Sequence, residues 1–359
     1  MLITSTSPHI HEGTSVRRLM FDVIISLLPS LAASLVFFKF RSLLLVAVCT
    51  GSAVGTEWLC RKAMKRNNSI GDLSAVVTGL LLALTLPPGL PLWQAILGSV
   101  FAIAIAKQIY GGIGYNPFNP ALVGRAFMLI SFTAAMTTWS PSDWIGKPGD
   151  ETANAHEAVT SATIRKYQKL DVDATTTATP LGLVKDSCRF GEPANAAFNY
   201  TNEVRRNLLI GNVNGSIGET SAIAILLGLA WLLIRRTFTW HATVGYMGTM
   251  ALFAWILQLA GSKLAMPVDF HLLSGGALFG AVFMATDLVT SPVSKWGRFI
   301  FGIGCGFITM IIRVVPGGAY PEGGTFAILI MNAVTPLINR AMRYRRFGAV
   351  RKTQQEKVA

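Results

Sequence analysis

The chain has 359 residues, of which 52% are hydrophobic and only 14% are charged, and its formal net charge is +13. This composition is too apolar for a single water-soluble core and indicates an integral membrane protein. The four cysteines lie far apart without CxxC spacing, which argues against an iron–sulfur or zinc ligand set encoded by this chain alone. The basic residues cluster at the ends of apolar segments, so we read the positive charge as a membrane orientation signal and expect no nucleic-acid partner.

Apolar segments long enough to cross or nearly cross a bilayer follow one another along the chain. They cover residues 20–38, 42–60, 74–90, 92–110, 119–137, 219–235, 240–261, 269–290, 297–315 and 323–340. Two of them are interrupted, one by Pro87 and Pro88 and the other by Asp287 and Pro292, as in transporter folds that surround a buried cavity with irregular backbone. The pattern predicts an all-α integral membrane protein of about ten transmembrane helices.

An internal echo divides the chain. The stretch YGGIGYNPFNPALVGRAFMLI (110–130) is echoed by VPGGAYPEGGTFAILIMNAVTPLI (315–338), each after an apolar helix of similar length. Five helices per half make the repeat inverted. We predict a first membrane repeat over 1–137, a long external loop over 138–218, a second repeat over 219–340 and a basic tail over 341–359. The alternative is chance similarity between Gly-rich apolar helices.

The charge distribution predicts the orientation. One side of the predicted helices carries Arg17, Arg18, Arg61, Lys62, Lys65, Arg66, Lys107, Arg235, Arg236, Lys295, Arg298 and the basic tail. The other side carries only Lys39, Arg41, Lys263 and Arg313 outside the long loop. We expect both termini in the cytoplasm, the loop 138–218 outside, and the first helix retained in the mature chain.

A hydroxyl-rich stretch, DATTTATPLGL (173–183), lies within the predicted external loop. Its plain interpretation is a solvated linker that ends in a Thr-Pro turn. The spacing of Asp173, Thr176, Ala178 and Thr179 also matches an Asp-x-x-Ser/Thr-x-Ala-Thr pattern. It resembles the flavin-attachment motif of the RnfD and NqrB subunit family of ion-pumping oxidoreductases.

The resemblance extends over most of the chain. It includes NNSIGDLSAVVTGLLLALTLPP, AKQIYGGIGYNPFNPALVGRAF, FHLLSGGALFGAVFMATDLVTSP and YPEGGTFAILIMNAVTPLI. It implies a urea-transporter-like inverted repeat and FMN joined through its phosphate to Thr179, often with a second, non-covalent riboflavin. Thr177 stands where the family often has glycine, and Thr175, Thr176 and Thr177 remain alternative acceptors. RnfD is the closer match, because NqrB chains carry an N-terminal extension.

The same resemblance implies a function and partners. The chain would be a membrane subunit of a ferredoxin:NAD oxidoreductase that moves Na⁺ or H⁺ across a bacterial cytoplasmic membrane. It contains no hydrolase triad, Walker loop or dinucleotide fingerprint, so we expect no complete active site in this chain alone. Expected partners are a second FMN-bearing subunit, iron–sulfur and NADH-binding subunits, small membrane subunits and a flavin transferase for maturation.

Two carboxylates are candidates for a cation pathway, because a charge at membrane depth is costly and is kept mainly where it meets an ion, water or a partner. Asp287 lies where its helix breaks, and its alternative is a helix-terminal carboxylate at the cytoplasmic interface. Glu57 is spaced to pair with Arg61 on one helix, and that structural interpretation is favoured. An added negative charge on a reduced flavin would draw a cation toward Asp287.

Arg125 and Asn119 are candidates for cofactor binding. A guanidinium early in its helix could hold a flavin carbonyl or phosphate, while a snorkelling or capping arginine is the structural alternative. Asn119, like Asn116 and Asn332, could bind a ligand or simply form a turn. We expect no metal site, and His241 and His271 to be interfacial histidines.

Two other functions compete with the redox interpretation. A solute channel or secondary transporter of the same fold would need no flavin, and fold alone does not exclude it. A structural scaffold would neither bind flavin nor transport. The stretch from Asp173 to Leu181 favours the redox subunit, because neither alternative uses such a motif.

Overall fold

The computed structural model describes residues 15–139, 179–189, 200–262, 265–315 and 323–342. Within these ranges the chain forms helices, turns and loops and no strand, which confirms the all-helical prediction for the described residues. The N-terminal half (15–139) contains α1 (Val16–Ala63), α2 (Ser74–Leu84), α3 (Leu92–Ile103), α4 (Pro120–Ser131) and α5 (Thr133–Thr137). Next comes α6 (Pro180–Arg189), and the C-terminal half (200–342) contains α7 (Asn202–Ile210), α8 (Ala222–Ile234), α9 (His241–Leu259), α10 (Val268–Leu273), α11 (Ala277–Phe279), α12 (Lys295–Val314) and α13 (Gly324–Ala341).

Several helices have membrane character. Of those in the described part of the chain, α1, α9 and α12 are long and apolar enough to cross a bilayer, and α2, α3, α4 and α8 are shorter apolar helices. Large apolar side chains on α9, such as Leu252 and Trp255, are more than half exposed. A water-soluble protein rarely exposes such a surface, whereas lipid can cover it. These features describe a membrane protein.

Breaks in the helices follow from local backbone chemistry. In α1 the backbone of Lys39 leaves the helical region with φ of 50°, between the predicted segments 20–38 and 42–60. The predicted segment 74–90 ends early, at Leu84, because Pro87 and Pro88 lack the N–H that a helix needs. The Arg41 guanidinium donates to the Pro88 and Leu90 carbonyl oxygens, both at 3.2 Å, and so satisfies part of that break.

The predicted segment 269–290 is likewise interrupted. It forms α10, a turn with Gly275 at φ of 66°, the short α11, and a π-helical turn over Gly280–Met284. The backbone then runs without a regular helix until Ser294, whose hydroxyl accepts the Gly297 N–H at 2.9 Å and caps α12. A second π-turn, Ala104–Gln108, continues α3. Such wide turns occur frequently at functional sites.

The tightest contact between long helices is that of α9 with α12. A Cβ atom on Gly302 would collide with the Ala242 carbonyl oxygen, and one on Gly306 would lie 2.5 Å from the Tyr246 oxygen. Four-residue spacing of small residues lets two helix backbones approach closely, which is a main source of helix association in membranes. The Tyr246 hydroxyl adds a hydrogen bond of 2.7 Å to Thr309 across the same contact.

The sequence predicts a loop over 138–218, but its described part contains α6 and α7. Leu181 and Val184 of α6 form one apolar cluster with Leu208 of α7, Met266 and Phe270. This apolar face explains the helices, because their burial compensates for the polar residues on the other faces. The cluster attaches α6 to the start of α10 and so fixes the position of Thr179.

Candidate functional site

A cleft between the two halves is the largest described cavity. It offers about 100 Å³ to water-sized molecules, and most of its wall is apolar. The N-terminal half contributes α1, α2, the π-turn after α3 and the loop before α4, while the C-terminal half contributes the end of α8 and the break before α12. The polar residues of its lining are Ser74, Thr78, Lys107, Asn116, Asn119, Thr237, Thr286 and Asp287.

Asp287 lies on the C-terminal side of this cleft. Its carboxylate accepts the Val289 N–H at 3.2 Å and the Thr290 hydroxyl at 3.0 Å, which fixes it within the break. Among the residues that the structure describes, no Lys or Arg forms an ion pair with it. A carboxylate that faces a polar cleft in this state can interact with a cation that enters.

Glu57 is fully buried on the N-terminal side, and its predicted pairing with Arg61 is wrong. Its Oε2 atom lies 2.7 Å from the Lys107 Nζ atom, and its Oε1 atom accepts the Ser69 hydroxyl at 2.5 Å. The Lys107 ammonium also donates to the Ser74 hydroxyl at 2.6 Å. The longer-range partner prevails because Lys107 is itself buried and needs a counter-charge, whereas Arg61 is only partly buried.

Arg125 is buried in a second, much smaller cavity. Its guanidinium forms an ion pair with Glu219, which contradicts the snorkelling alternative. Glu219 is positioned because the preceding Ile217 and Gly218 N–H groups donate to the carbonyl oxygens of Leu86 and Leu84 in the break after α2. The pair therefore joins the two halves. The same cavity is lined by Leu122, Gly276, Gly280, Met284, Gly324, Thr325 and Ile328.

Asn119 is the N-cap of α4. Its Oδ1 atom accepts the Ala121 N–H at 3.0 Å and the Leu122 N–H at 3.4 Å, while its Nδ2 atom reaches the Met284 carbonyl oxygen at 3.5 Å. This is turn and capping chemistry, one of the two predicted alternatives for Asn119. Because the side chain also lines the cleft, it positions α4 at the boundary between the halves.

Thr179 lies at the N-terminus of α6, with 8% of the residue exposed. Its Oγ1 atom accepts the Gly182 N–H at 3.1 Å, as an N-cap does. A phosphate attached to this oxygen would lie at a helix N-terminus, where free backbone N–H groups and the helix dipole favour an anion. The residue thus fits a phosphoester of FMN. Asp173, Thr176 and Ala178 of the same motif lie outside the described residues.

The described candidates do not join one site. Thr179 lines neither cavity, Arg125 lines the smaller one, and Asn119 and Asp287 line the cleft. The cleft and the small cavity adjoin along the segment 280–289, because Gly280 and Met284 line one while Phe283 and Thr286 line the other.

Neither predicted histidine forms a metal site in the described structure. His241 stacks on Trp240 with ring centres 4.2 Å apart. His271 is buried against Phe270, and in the described part of the chain neither ring nitrogen has a hydrogen-bond partner. No group of three His, Cys, Asp or Glu residues within the described ranges is arranged to hold a metal ion.

Sequence reasoning misjudged two buried cations. Lys107 and Arg313 are expected at opposite membrane faces, yet they are only 2% and 5% exposed. Arg313 donates to the carbonyl oxygens of His271 at 2.7 Å and Ser274 at 3.0 Å. A signal was present: each cation ends an apolar run and stands four residues before a Gly-Gly pair, at Gly111 and at Gly317.

Outside the apolar spans, Tyr200 links α7 to α10. Its hydroxyl donates to the Asp269 Oδ2 atom at 2.8 Å, and Arg205 pairs with the same oxygen at 2.9 Å. Burial and the Asp269 carboxylate raise the pKa of Tyr200 well above its ordinary value. The phenol therefore stays protonated and holds this contact at neutral pH.

Comparison with known proteins adds an independent observation. The sequence model of the NQR2, RnfD, RnfE family matches residues 3–348. A membrane-complex relative, one subunit of the Na⁺-translocating ferredoxin:NAD⁺ oxidoreductase of Acetobacterium woodii, is 40% identical over 356 residues, covering 99% of this chain and 98% of the relative. The corresponding subunit of the proton-translocating complex of Clostridium ljungdahlii is 39% identical, with 97% and 96% covered. That of the ion-translocating oxidoreductase complex of Stutzerimonas stutzeri is 40% identical, with 93% of each chain covered.

Proposed function

The chain belongs to the NQR2, RnfD and RnfE family, and we propose that it is the flavin-carrying membrane subunit of a ferredoxin:NAD⁺ oxidoreductase complex that translocates Na⁺ or H⁺. Relatives that span nearly the whole chain are named as subunits of such complexes. The Na⁺-translocating and the proton-translocating relative are equally similar, so both cations remain in the proposal. The ferredoxin and NAD⁺ sites, and the iron–sulfur centres, would belong to partner subunits.

The observation that carries the proposal is the position of Thr179. Its hydroxyl oxygen lies at the N-terminus of α6 and accepts one backbone N–H, which suits an esterified phosphate. FMN bound there would supply one- or two-electron transfer. The protein would contribute the tether, the N–H groups of the first turn, and a fixed distance from the apolar cluster under α6. We also propose a non-covalent riboflavin, without assigning residues to it.

We further propose two inverted five-helix repeats in a bacterial cytoplasmic membrane, with both termini in the cytoplasm and Thr179 outside. The equivalence of Lys107 and Arg313 supports this arrangement. Each ends a helix that follows a broken segment, and each turns its charge back to the start of that segment, at Ser74 or at His271 and Ser274. In an inverted repeat these two cations would lie toward opposite membrane faces.

The cleft supplies the proposed path for the cation. Asp287 on one wall and the Glu57 and Lys107 pair behind the other are charged groups at the boundary of the halves. A reduced flavin carries added negative charge, which would favour entry of a cation toward these carboxylates. Asp287 and Glu57 would hold the cation, while Asn119 would keep α4 in register with the opposite wall.

The experiment is denaturing electrophoresis under ultraviolet light. Full-length protein from cells that also express a flavin transferase is expected to give a fluorescent band, because only covalent flavin survives denaturation. Thr179→Ala should abolish the band, and Thr179→Ser should keep it at least in part, since serine retains the hydroxyl. Thr176→Ala and Thr177→Ala are the matched controls and should leave the band unchanged.

Two results would contradict the proposal. A band that persists in Thr179→Ala would move the attachment to another residue. A dark wild-type band, from cells in which the transferase labels another substrate, would favour a solute channel or secondary transporter with the same polar cleft.

A further inference from the structure

The Lys107 ammonium occupies a site that is built from oxygen atoms. Its Nζ atom lies 2.7 Å from a Glu57 carboxylate oxygen and 2.6 Å from the Ser74 hydroxyl. The Ser69 hydroxyl bonds the second Glu57 oxygen, and Asp72 accepts the Ser74 hydroxyl at 2.5 Å. Carboxylate and hydroxyl oxygens are the ligands that hard cations prefer. The ammonium thus stands where a small cation would find its ligands.

The equivalent cation in the C-terminal half is bound differently. Arg313 donates to two backbone carbonyl oxygens, which cannot move without unfolding the break around α10. A guanidinium with backbone partners is a permanent structural charge. Lys107 has side-chain partners, a flexible stem and a compact charge, so another cation can replace it. The difference separates a fixed position from an exchangeable one.

The cleft provides a second position for the displaced ammonium. Lys107, Ser74 and Asp287 all line it, and Asp287 has no cationic partner among the described residues. The Lys107 side chain can therefore leave Glu57 without losing a carboxylate to balance its charge. A buried charge that moves between two carboxylates avoids the penalty of standing unpaired.

We propose that Glu57, Ser69 and Ser74 form a binding site for a hard monovalent cation such as Na⁺, and that Lys107 is a tethered competitor that leaves the site toward Asp287 when the cation binds. The inference rests on the proposed function for its role in translocation. The binding itself needs no flavin, so it can be tested in the Thr179→Ala background. Failure of one proposal is then distinguishable from failure of the other.

The test is the Na⁺ dependence of thermal unfolding of the full-length chain in detergent, with choline chloride keeping the ionic strength constant. Lys107→Ala leaves Glu57 without its ammonium, so Na⁺ should stabilise this variant strongly. The Na⁺ concentration for half-maximal stabilisation should be at least about tenfold lower than in wild type, because the competing charge is gone. In the background of Lys107→Ala, Ser69→Ala should weaken the effect.

The controls separate a site from a general salt effect. The neutral pair Glu57→Gln with Lys107→Gln should fold and lose the specific Na⁺ dependence. Arg313→Gln also removes a buried cation, but it leaves no carboxylate behind, so it should lower stability without creating Na⁺ dependence. Equal stabilisation of Lys107→Ala by Na⁺ and choline would overturn the proposal.

If Lys107→Ala cannot be purified, equilibrium binding of radioactive Na⁺ to wild type decides. Saturable binding that disappears in the Glu57→Gln and Lys107→Gln double variant supports the site. Binding that is absent in wild type, or that survives in the double variant, overturns it.

Discussion

At the scale of single residues, the Arg125 and Glu219 pair joins positions 94 residues apart and is nearly inaccessible to solvent. Arg125→Ala would leave a buried carboxylate without its counter-charge. We expect a loss of about 3–5 kcal/mol in the free energy of unfolding, measured from unfolding curves in detergent. Replacing both residues by glutamine should recover most of that loss, because no unpaired charge then remains.

Arg205→Ala is the matched control for this prediction. Arg205 pairs with Asp269 at 2.9 Å, but its side chain is 55% exposed. Removing an exposed pair costs at most about 1 kcal/mol. Equal losses for Arg125→Ala and Arg205→Ala would contradict the account of Arg125 as a buried link between the halves.

The sequence identifies many important residues but few of their partners. Glu57, Arg125, Asn119 and Asp287 stand out because polar groups are costly in apolar segments. The partner of Glu57 lies 50 residues away, so helical spacing favours Arg61 instead. A pairing of this kind depends on tertiary packing, which no local pattern encodes.

At the scale of helices, the contact of α9 with α12 depends on glycine. Gly302→Ala would drive a Cβ atom into the Ala242 carbonyl oxygen and to within 2.9 Å of the Tyr246 nitrogen. Because both are backbone atoms, the helices must separate, and we expect a cost of about 1–3 kcal/mol. The thermal unfolding midpoint in detergent measures it.

Gly248→Ala on α9 tests the same change without the contact. No atom lies within 4 Å of a Cβ atom at this exposed position. Alanine favours a helix more than glycine does, so the midpoint should stay the same or rise slightly. A comparable fall in both variants would mean that close packing of α9 and α12 is not the cause.

Hydrophobic length predicts where the helices lie better than where they end. The predicted segments 240–261 and 297–315 correspond to α9 and α12 within a few residues. The segment 269–290 divides into two short helices and a π-turn, because turns at Gly275 and Asp287 interrupt a run that is apolar throughout. Apolar composition alone carries no information on such turns.

At the scale of the whole molecule, the cleft and Thr179 perform separate parts of one proposed task. The cleft lies between the halves, while Thr179 is attached through α6 to the apolar cluster at the start of α10. The α10 segment continues through α11 and the π-turn to Asp287. A change at the flavin could therefore reach the cleft through one continuous stretch of chain, in addition to acting through its charge.

The repeat pattern, the family and the attachment motif are readable from the sequence because they depend on short, specific stretches. The position of the cleft is not, because its walls come from six separate parts of the chain. Only the packed structure brings Lys107 and Asp287 to one cavity.

The most direct test of the central claim is redox-driven cation uptake by vesicles that contain the whole complex. Wild-type complex given reduced ferredoxin and NAD⁺ should reduce NAD⁺ and accumulate Na⁺ or H⁺. The complex with Thr179→Ala, assembled with all its subunits, should do neither, because the electron path through this chain is interrupted. Cation uptake and NAD⁺ reduction at wild-type rates in that variant would contradict the account.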